Sequence, residues 1–379
     1  VVQIFLIFNF HHPSPMSIVN ITKNVAINSL RFALALVFAF SGFVKAVDPM
    51  GTVYKMADYA EAFGLSVHPG LLFGGTVLLI LLEYVMGVCL LFGLYRRFYL
   101  SGMIAFLLVM TPLTLYLAIY NPVSDCGCFG DALVLTNWQT FEKNVVLITL
   151  AIVLVILRKS VAPLWRGYME IVIALVAAAV TFAFMEYTYH HLPVVDFRPY
   201  KIGNHLPTLM EYPEDAEPDQ YEFSFVYEKD GVEQTFTLEN YPKGDSTWTF
   251  VRQESRLIKK GYEPPIHDFE VINAYGEDVT WEVLESDEPV TLVVMYDLAK
   301  TDHKQMARVE ALYEQAANFH ILTGSGTDEI IAFGMAYPML SESVCTCDPV
   351  TLKTIVRANP GVIVLQNGIV IDKYNIKNR

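Results

Sequence analysis

Five stretches of the chain, at about residues 26–46, 70–93, 97–119, 140–158 and 167–188, are apolar over a length that crosses a bilayer, which takes about 20 residues. After about residue 190 the period of the pattern shortens. Residues 221–227 and 233–238 alternate apolar and polar positions around Asp230-Gly231 and predict a hairpin, with a further strand near 247–252. From Pro264 onward strand and helix patterns alternate. A buried strand is expected at Val290–Tyr296, a helix at about Asp302–Ala317, a strand at 319–323, a short helix at 326–333 and a strand at 337–341. Asp348 and Pro349 suit the N-cap and first position of a helix running to about Arg357. A last hairpin, Val362–Leu365 and Ile369–Lys373, is turned by Asn367-Gly368. The predicted fold class is an α-helical membrane bundle followed by an α/β domain with a partly parallel sheet.

Composition agrees with a membrane bundle and places the charge. The chain is 53% hydrophobic with a mean hydropathy of +0.37, too apolar for a soluble protein of 379 residues. Residues 1–196 hold ten basic and ten acidic residues, whereas 197–379 hold sixteen basic and thirty acidic ones. An acidic C-terminal half repels nucleic acid and anionic lipid surfaces, so neither is expected as its partner. Arg96 and Arg97 lie between the second and third spans, and Arg158, Lys159 and Arg166 between the fourth and fifth. Basic residues in short loops face the cytoplasm. The expected arrangement is therefore a multi-pass protein of the cell inner (cytoplasmic) membrane with its N-terminus inside. The 120–139 loop and everything after about residue 190 are then periplasmic or otherwise external. Val1–Pro15 precede Met16, a candidate true start, and lack the basic region that opens a signal peptide; His11 and His12 are assigned no function.

Four of the five cysteines form two Cys-x-Cys pairs, Cys126/Cys128 and Cys345/Cys347, both on the external side by this topology. A disulfide within such a pair closes a small strained ring, and strained exposed disulfides are the exchangeable ones. Gly127 lets the first loop bend to form that ring. Two local structural disulfides, or simple loop thiols, are the competing reading. Thiolates also suit Zn or Cu(I), but neither pair has a second ligand close by, and His190/His191 read as surface, so no metal is expected. Glu83, in the middle of the second span, must face the bundle interior or be protonated. It is either a proton or quinone-site group or a buried hydrogen bond between helices; beyond that quinone option no cofactor is evident. Arg31 and Lys45 are expected to snorkel from the ends of the first span, and Cys89 to pack.

Taken together, Arg31-Phe-Ala-Leu-Ala-Leu-Val-Phe-Ala-Phe-Ser41-Gly42-Phe-Val-Lys45-Ala-Val-Asp48, Glu83, the Arg96-Arg97 loop and Cys126-Gly-Cys128-Phe-Gly130 resemble the DoxX/MauE family of small four-helix membrane proteins. The resemblance covers residues 25–160, after a 1–24 extension and before a fifth span at 161–190. It implies a redox-associated membrane protein, since the MauE branch is linked to maturing a disulfide-rich subunit of a methylamine dehydrogenase. No methylamine-specific feature is visible, so that substrate does not carry over. Residues 191–262 read as linker and small β region, and 263–379 resemble a thioredoxin-like domain of the peroxiredoxin or TlpA kind. In that resemblance Pro360 matches the fold's cis-proline. The stretch that should carry Cys-x-x-C, Tyr296–Lys304, has no cysteine. Cys345 and Cys347 are expected after the 337–341 strand, on the active-site side near Pro360, with the next helix N-terminus favouring thiolate.

Two functions follow as expectations. One is thiol-disulfide exchange or protein maturation in the cell envelope, with Cys126, Cys128, Cys345 and Cys347 as redox thiols, an envelope client or redox partner, and a relay between the two pairs. The other is a non-catalytic scaffold or assembly factor whose thioredoxin-like domain binds a partner.

Overall fold

The computed structural model describes residues 18–94, 96–157, 165, 167–259 and 261–379. His11, His12, Met16, Arg158, Lys159 and Arg166 lie outside them, as do the side chains of Arg96 and Arg97. The chain divides into two units, one ending near Arg198 and one beginning near Pro199.

The first unit is helical: α1 (Ile18–Val47), α2 (Pro49–Ala62), α3 (Pro69–Phe92), α4 (Arg96–Tyr120), α5 (Asn137–Ile156) and α6 (Tyr168–His190). Five of these, all but α2, contain segments long and apolar enough to cross a membrane. Leu34, Phe38, Met86, Met103, Leu107 and Leu147 form the buried centre that joins α1, α3, α4 and α5. Two glycines set the α1–α3 spacing. A Cβ on Gly42 would come within 2.6 Å of the Tyr84 backbone, and one on Gly87 within 2.4 Å of the Ala39 backbone. Small residues of this kind let membrane helices approach backbone to backbone. The chain leaves α6 beside the C-terminal end of α1, where Thr188 Oγ1 donates to the Ala46 carbonyl at 2.9 Å.

The amphipathic α2 is absent from the hydropathy pattern because it is too short and too polar to register as a span. Its start is nevertheless encoded locally: Asp48 accepts from Gly51 N at 3.0 Å and Pro49 takes the first turn.

The second unit holds two sheets. After α7 (Leu206–Met210), strands β1 (Gln220–Lys229), β2 (Val232–Thr237) and β3 (Thr249–Lys259) make an antiparallel sheet in the order β2-β1-β3. Next come α8 (Thr280–Leu284), β4 (Val290–Val294), α9 (Met306–Gln315), β5 (Asn318–Thr323), α10 (Thr327–Ala336), β6 (Val344–Thr346), α11 (Pro349–Ile355), β7 (Gly361–Gln366) and β8 (Ile369–Asn375). The larger sheet runs β6-β5-β4-β7-β8, with β4, β5 and β6 parallel and β7 and β8 antiparallel. All five residues of β4 are buried, as a central strand with both faces covered requires. The Asn359–Pro360 bond is cis.

One expected element is replaced. The strand expected at 337–341 is a 3₁₀ segment, Pro338–Ser343, and the strand is the three-residue β6 that follows it. Pro338 has no N–H to give a ladder and its fixed φ suits a first helical turn; the Ser341 hydroxyl donates back to the Pro338 carbonyl at 2.8 Å. Cys345 therefore sits inside a paired strand, opposite Leu322 of β5, and not in a loop after one.

Candidate functional site

The loop between α4 and α5 carries Asp125-Cys126-Gly127-Cys128-Phe129-Gly130, and side chains from four helices hold it. Ser41 and Lys45 lie one turn apart on α1 and so share a face. Lys45 Nζ donates to Ser41 Oγ and Glu83 Oε2, both at 2.7 Å, and to the Cys128 carbonyl at 2.6 Å. That uses all three ammonium protons. The Ser41 hydroxyl lies 2.8 Å from Glu83 Oε2 and 2.7 Å from the Cys128 carbonyl, and its single proton serves either. The expectation that Lys45 snorkels is corrected here: its side chain is 5% exposed and ion-paired with Glu83, itself 6% exposed. A carboxylate and an ammonium in mid-bundle are tolerable only as a fully hydrogen-bonded pair, and the close α1–α3 approach at Gly42 brings them together.

On α2, Lys55 and Tyr59 are again one turn apart. Lys55 Nζ donates to Asp125 Oδ2 at 2.9 Å, and Tyr59 Oη to the Cys126 carbonyl at 3.0 Å. Asp125 Oδ1 accepts from Gly127 N at 2.7 Å, which closes the turn. Gly127 has φ +68°, and a Cβ there would meet Lys55 Cγ at 2.8 Å. The turn places the Cys126 and Cys128 sulfurs 2.9 Å apart. From α5, Lys143 Nζ stands 4.5 Å over the Phe129 ring.

These contacts split the two thiols. The Cys128 thiol is held down to about 6 by a hydrogen bond from the Cys126 thiol and by Lys143 and Lys45, against the opposing effect of burial. Cys126 moves up, because its proton is the one shared and because it is buried. Either sulfur can donate across this contact, and the direction of the two shifts favours Cys126 as donor and Cys128 as thiolate. Cys128 also lines a cavity of about 30 Å³ with Ser41, Glu83, Lys143 and Asn144. That is room for one water, well below the few hundred Å³ of a ligand pocket. Cys89 is fully buried in the bundle and packs there.

Cys345 and Cys347 meet a different environment. Both are buried, and burial pushes Cys345 up to about 11 and Cys347 up to about 12. The expected lowering by the backbone at the helix start is present at Cys347 but is outweighed by burial. Asp348 caps the seven-residue α11, accepting from Thr351 N at 2.6 Å, and its negative charge adds to the rise at Cys347. Cys345 Sγ lies 3.6 Å from His320 Nδ1. Cys347 opens onto a polar cleft of about 450 Å³ between the Phe269–Ile272 and Thr323–Ser325 segments.

Pro360 precedes β7, which pairs with β4 through Val294 and Gly361. Cys347 and Pro360 therefore share one end of the sheet but stand three strand spacings apart, roughly 14 Å. The side chain beside Pro360 is Asn359, whose Nδ2 donates to the Asp297 carbonyl at 2.8 Å. Among the described residues no cluster of His, Cys, Asp and Glu could hold a metal ion.

The sequence pattern shows Ser41 and Lys45 within the first span but not their contact with Glu83, and it does not mark Lys55, Tyr59 or Lys143. The Lys55/Tyr59 spacing on a short amphipathic helix was the one signal available for the latter group.

Residues 23–157 match the family model described as Methylamine utilisation protein MauE, and residues 221–260, nearly all of the β1–β3 sheet, match a domain of unknown function, DUF8463. No curated protein and no solved structure matches the chain. The similarity to MauE is thus confined to residues 23–157, and together with the five described helices long and apolar enough to cross a membrane it fits a multi-pass membrane protein.

Proposed function

We propose that this protein performs thiol-disulfide exchange for protein maturation in the cell envelope, with Cys128 as the attacking thiolate and Cys126 as its resolving partner. The observation that carries the reading is the asymmetric pair itself: two sulfurs 2.9 Å apart, one favoured as thiolate, clamped by Lys45, Ser41 and Tyr59. The MauE match supports a place in a redox or maturation pathway; nothing in the site points to methylamine.

In the reducing direction, the Cys128 thiolate attacks one sulfur of a client disulfide. The client S–S bond breaks, one client sulfur leaves as thiolate, and a mixed disulfide forms. Cys126 gives its proton to the client thiolate released first, then attacks the Cys128 sulfur and releases the second client thiolate. Two electrons pass from the pair to the client, leaving a Cys126–Cys128 disulfide. The same steps reversed oxidise a client dithiol.

The orientation proposed is N-terminus inside, with the Cys126/Cys128 loop and the second unit outside an inner membrane, on the strength of the basic residues at Arg96, Arg97, Arg158 and Lys159. The contacts of α1 with Cys128 and with Thr188 support one common side for the loop and the exit of α6. We read residues 263–379 as a thioredoxin-like binding module without Cys-x-x-C. Its sheet order and the proline before β7 support this, and the buried, raised thiols of Cys345 and Cys347 suit binding better than exchange.

The test is trapping in the full-length protein in membranes. Cys126→Ala should accumulate a mixed disulfide at Cys128 with envelope protein or with added glutathione disulfide, and Cys128→Ala should not. Absence of any adduct on Cys128 in the Cys126→Ala protein overturns the reading.

A further inference from the structure

We infer that Lys143 is the counter-ion of the Cys128 thiolate, a positioning residue for the exchange proposed above and dependent on that reading. The inference comes from accounting for every charge around Cys128. On α1, Lys45 is committed to Glu83 of α3 at 2.7 Å. On α2, Lys55 is committed to Asp125 at 2.9 Å, with Asp58 at 3.9 Å. Tyr59 is a neutral donor to the Cys126 carbonyl. Glu142 is exposed, Asp131 lies three residues beyond Cys128 in the loop, and α4 lines the cavity beside Cys128 with Phe106, Leu107 and Met110.

Lys143 is what remains. It forms no ion pair among the described residues; its contact is the Phe129 ring, 4.5 Å away. Phe129 is 7% exposed and adjoins Cys128 in the chain, and Lys143 and Cys128 line the same water-sized cavity. An ammonium at the rim of this cavity is drawn toward an anion within it, because the partly dry surroundings strengthen the attraction. With Cys128 as thiolate, the cluster of Lys45, Glu83, Lys143 and Cys128 is electrically neutral. With Cys128 protonated or in a disulfide, it carries one surplus positive charge. Lys143 thus favours the reduced thiolate over the disulfide, while the hydrogen bond between the two sulfurs sets which of them carries the charge.

The experiment is the pH profile of iodoacetamide alkylation at Cys128, read by peptide mass spectrometry, in the full-length protein in detergent micelles. The variants are Lys143→Met, Lys143→Gln and Lys143→Arg, with protection of the buried Cys89 as the folding control. The wild type should show an acid inflection. In Lys143→Met and Lys143→Gln it should rise by about one pH unit or more, as loss of a nearby opposite charge predicts, and Lys143→Arg should stay near wild type. An unchanged profile in both neutral variants overturns the inference and leaves the exchange reading standing. A shift that Lys143→Arg fails to prevent also overturns it, since the effect is then packing and not charge. An ordinary thiol profile in the wild type overturns both.

Discussion

The two Cys-x-Cys pairs of this chain differ by one middle residue and by everything that surrounds them. Gly127, at φ +68°, folds the first pair back so that its sulfurs lie 2.9 Å apart. Thr346 sits in β6, and its extended backbone separates the second pair by about 6.6 Å along the strand. The first pair faces Lys45 and Lys143; the second is raised by burial, with His320 beside Cys345 and Asp348 beside Cys347. The lesson is that cysteine spacing sets only a distance range. The middle residue's backbone and the charges brought in from other helices decide which sulfur becomes a nucleophile.

The largest effect expected from breaking this contrast comes from the clamp on the first pair. Lys45→Met leaves the Glu83 carboxylate buried without its partner and should destabilise the bundle by about 3–5 kcal/mol. Adding Glu83→Leu should recover most of that loss. Denaturation of the full-length variants in mixed micelles measures both.

Reactivity separates the pairs next. Thiolate is the reactive form, so a thiol near 6 is mostly ionised at pH 7 and one near 12 scarcely at all. The weaker intrinsic nucleophilicity of the more acidic thiol offsets part of that difference, and Cys128 should remain the faster of the two at pH 7. The sign of the pH dependence follows from the same shifts. Cys128 alkylation should fall as pH drops through about 6 and level off above it, while Cys347 alkylation should keep rising throughout neutral pH. Because the folded Cys128 is the stronger acid, its ionisation adds stability that is complete above the ordinary thiol range and disappears as pH falls through about 6.

Gly127→Ala should cost about 1–2 kcal/mol for the left-handed backbone and displace Lys55 from Asp125. Slower closure of the Cys126–Cys128 disulfide would report it. The smallest effect belongs to the second pair: Cys345→Ala should lower stability by about 1 kcal/mol, an ordinary core substitution, and leave exchange unchanged.

The parts of this site written into local sequence were legible, and the parts made by tertiary contact were not. Hydropathy located the five spans, and Asp348-Pro349 and Asn367-Gly368 marked a helix start and a hairpin turn where they occur. Asp48-Pro49 marked α2 by the same chemistry, yet a search for long apolar runs passes over it. The Lys45–Glu83 pair spans 38 residues of sequence, and no local pattern ties them. Lys45 near a span end therefore looked like a snorkelling side chain. Strand β6 is three residues long and follows a proline-started 3₁₀ segment, too short for alternation to register. The raised thiols of Cys345 and Cys347 result from burial by neighbouring strands, which outweighs the helix N-terminus next to them in sequence.

The central claim is that the first pair exchanges and the second does not. It is tested most directly by poising the full-length protein in native membranes across glutathione redox buffers and mapping every cysteine by non-reducing peptide mass spectrometry. The account predicts a Cys126–Cys128 disulfide that forms and breaks reversibly with the buffer, while Cys345 and Cys347 stay thiols. A Cys126/Cys128 pair that remains reduced throughout, or a Cys345–Cys347 disulfide that titrates in its place, would contradict it.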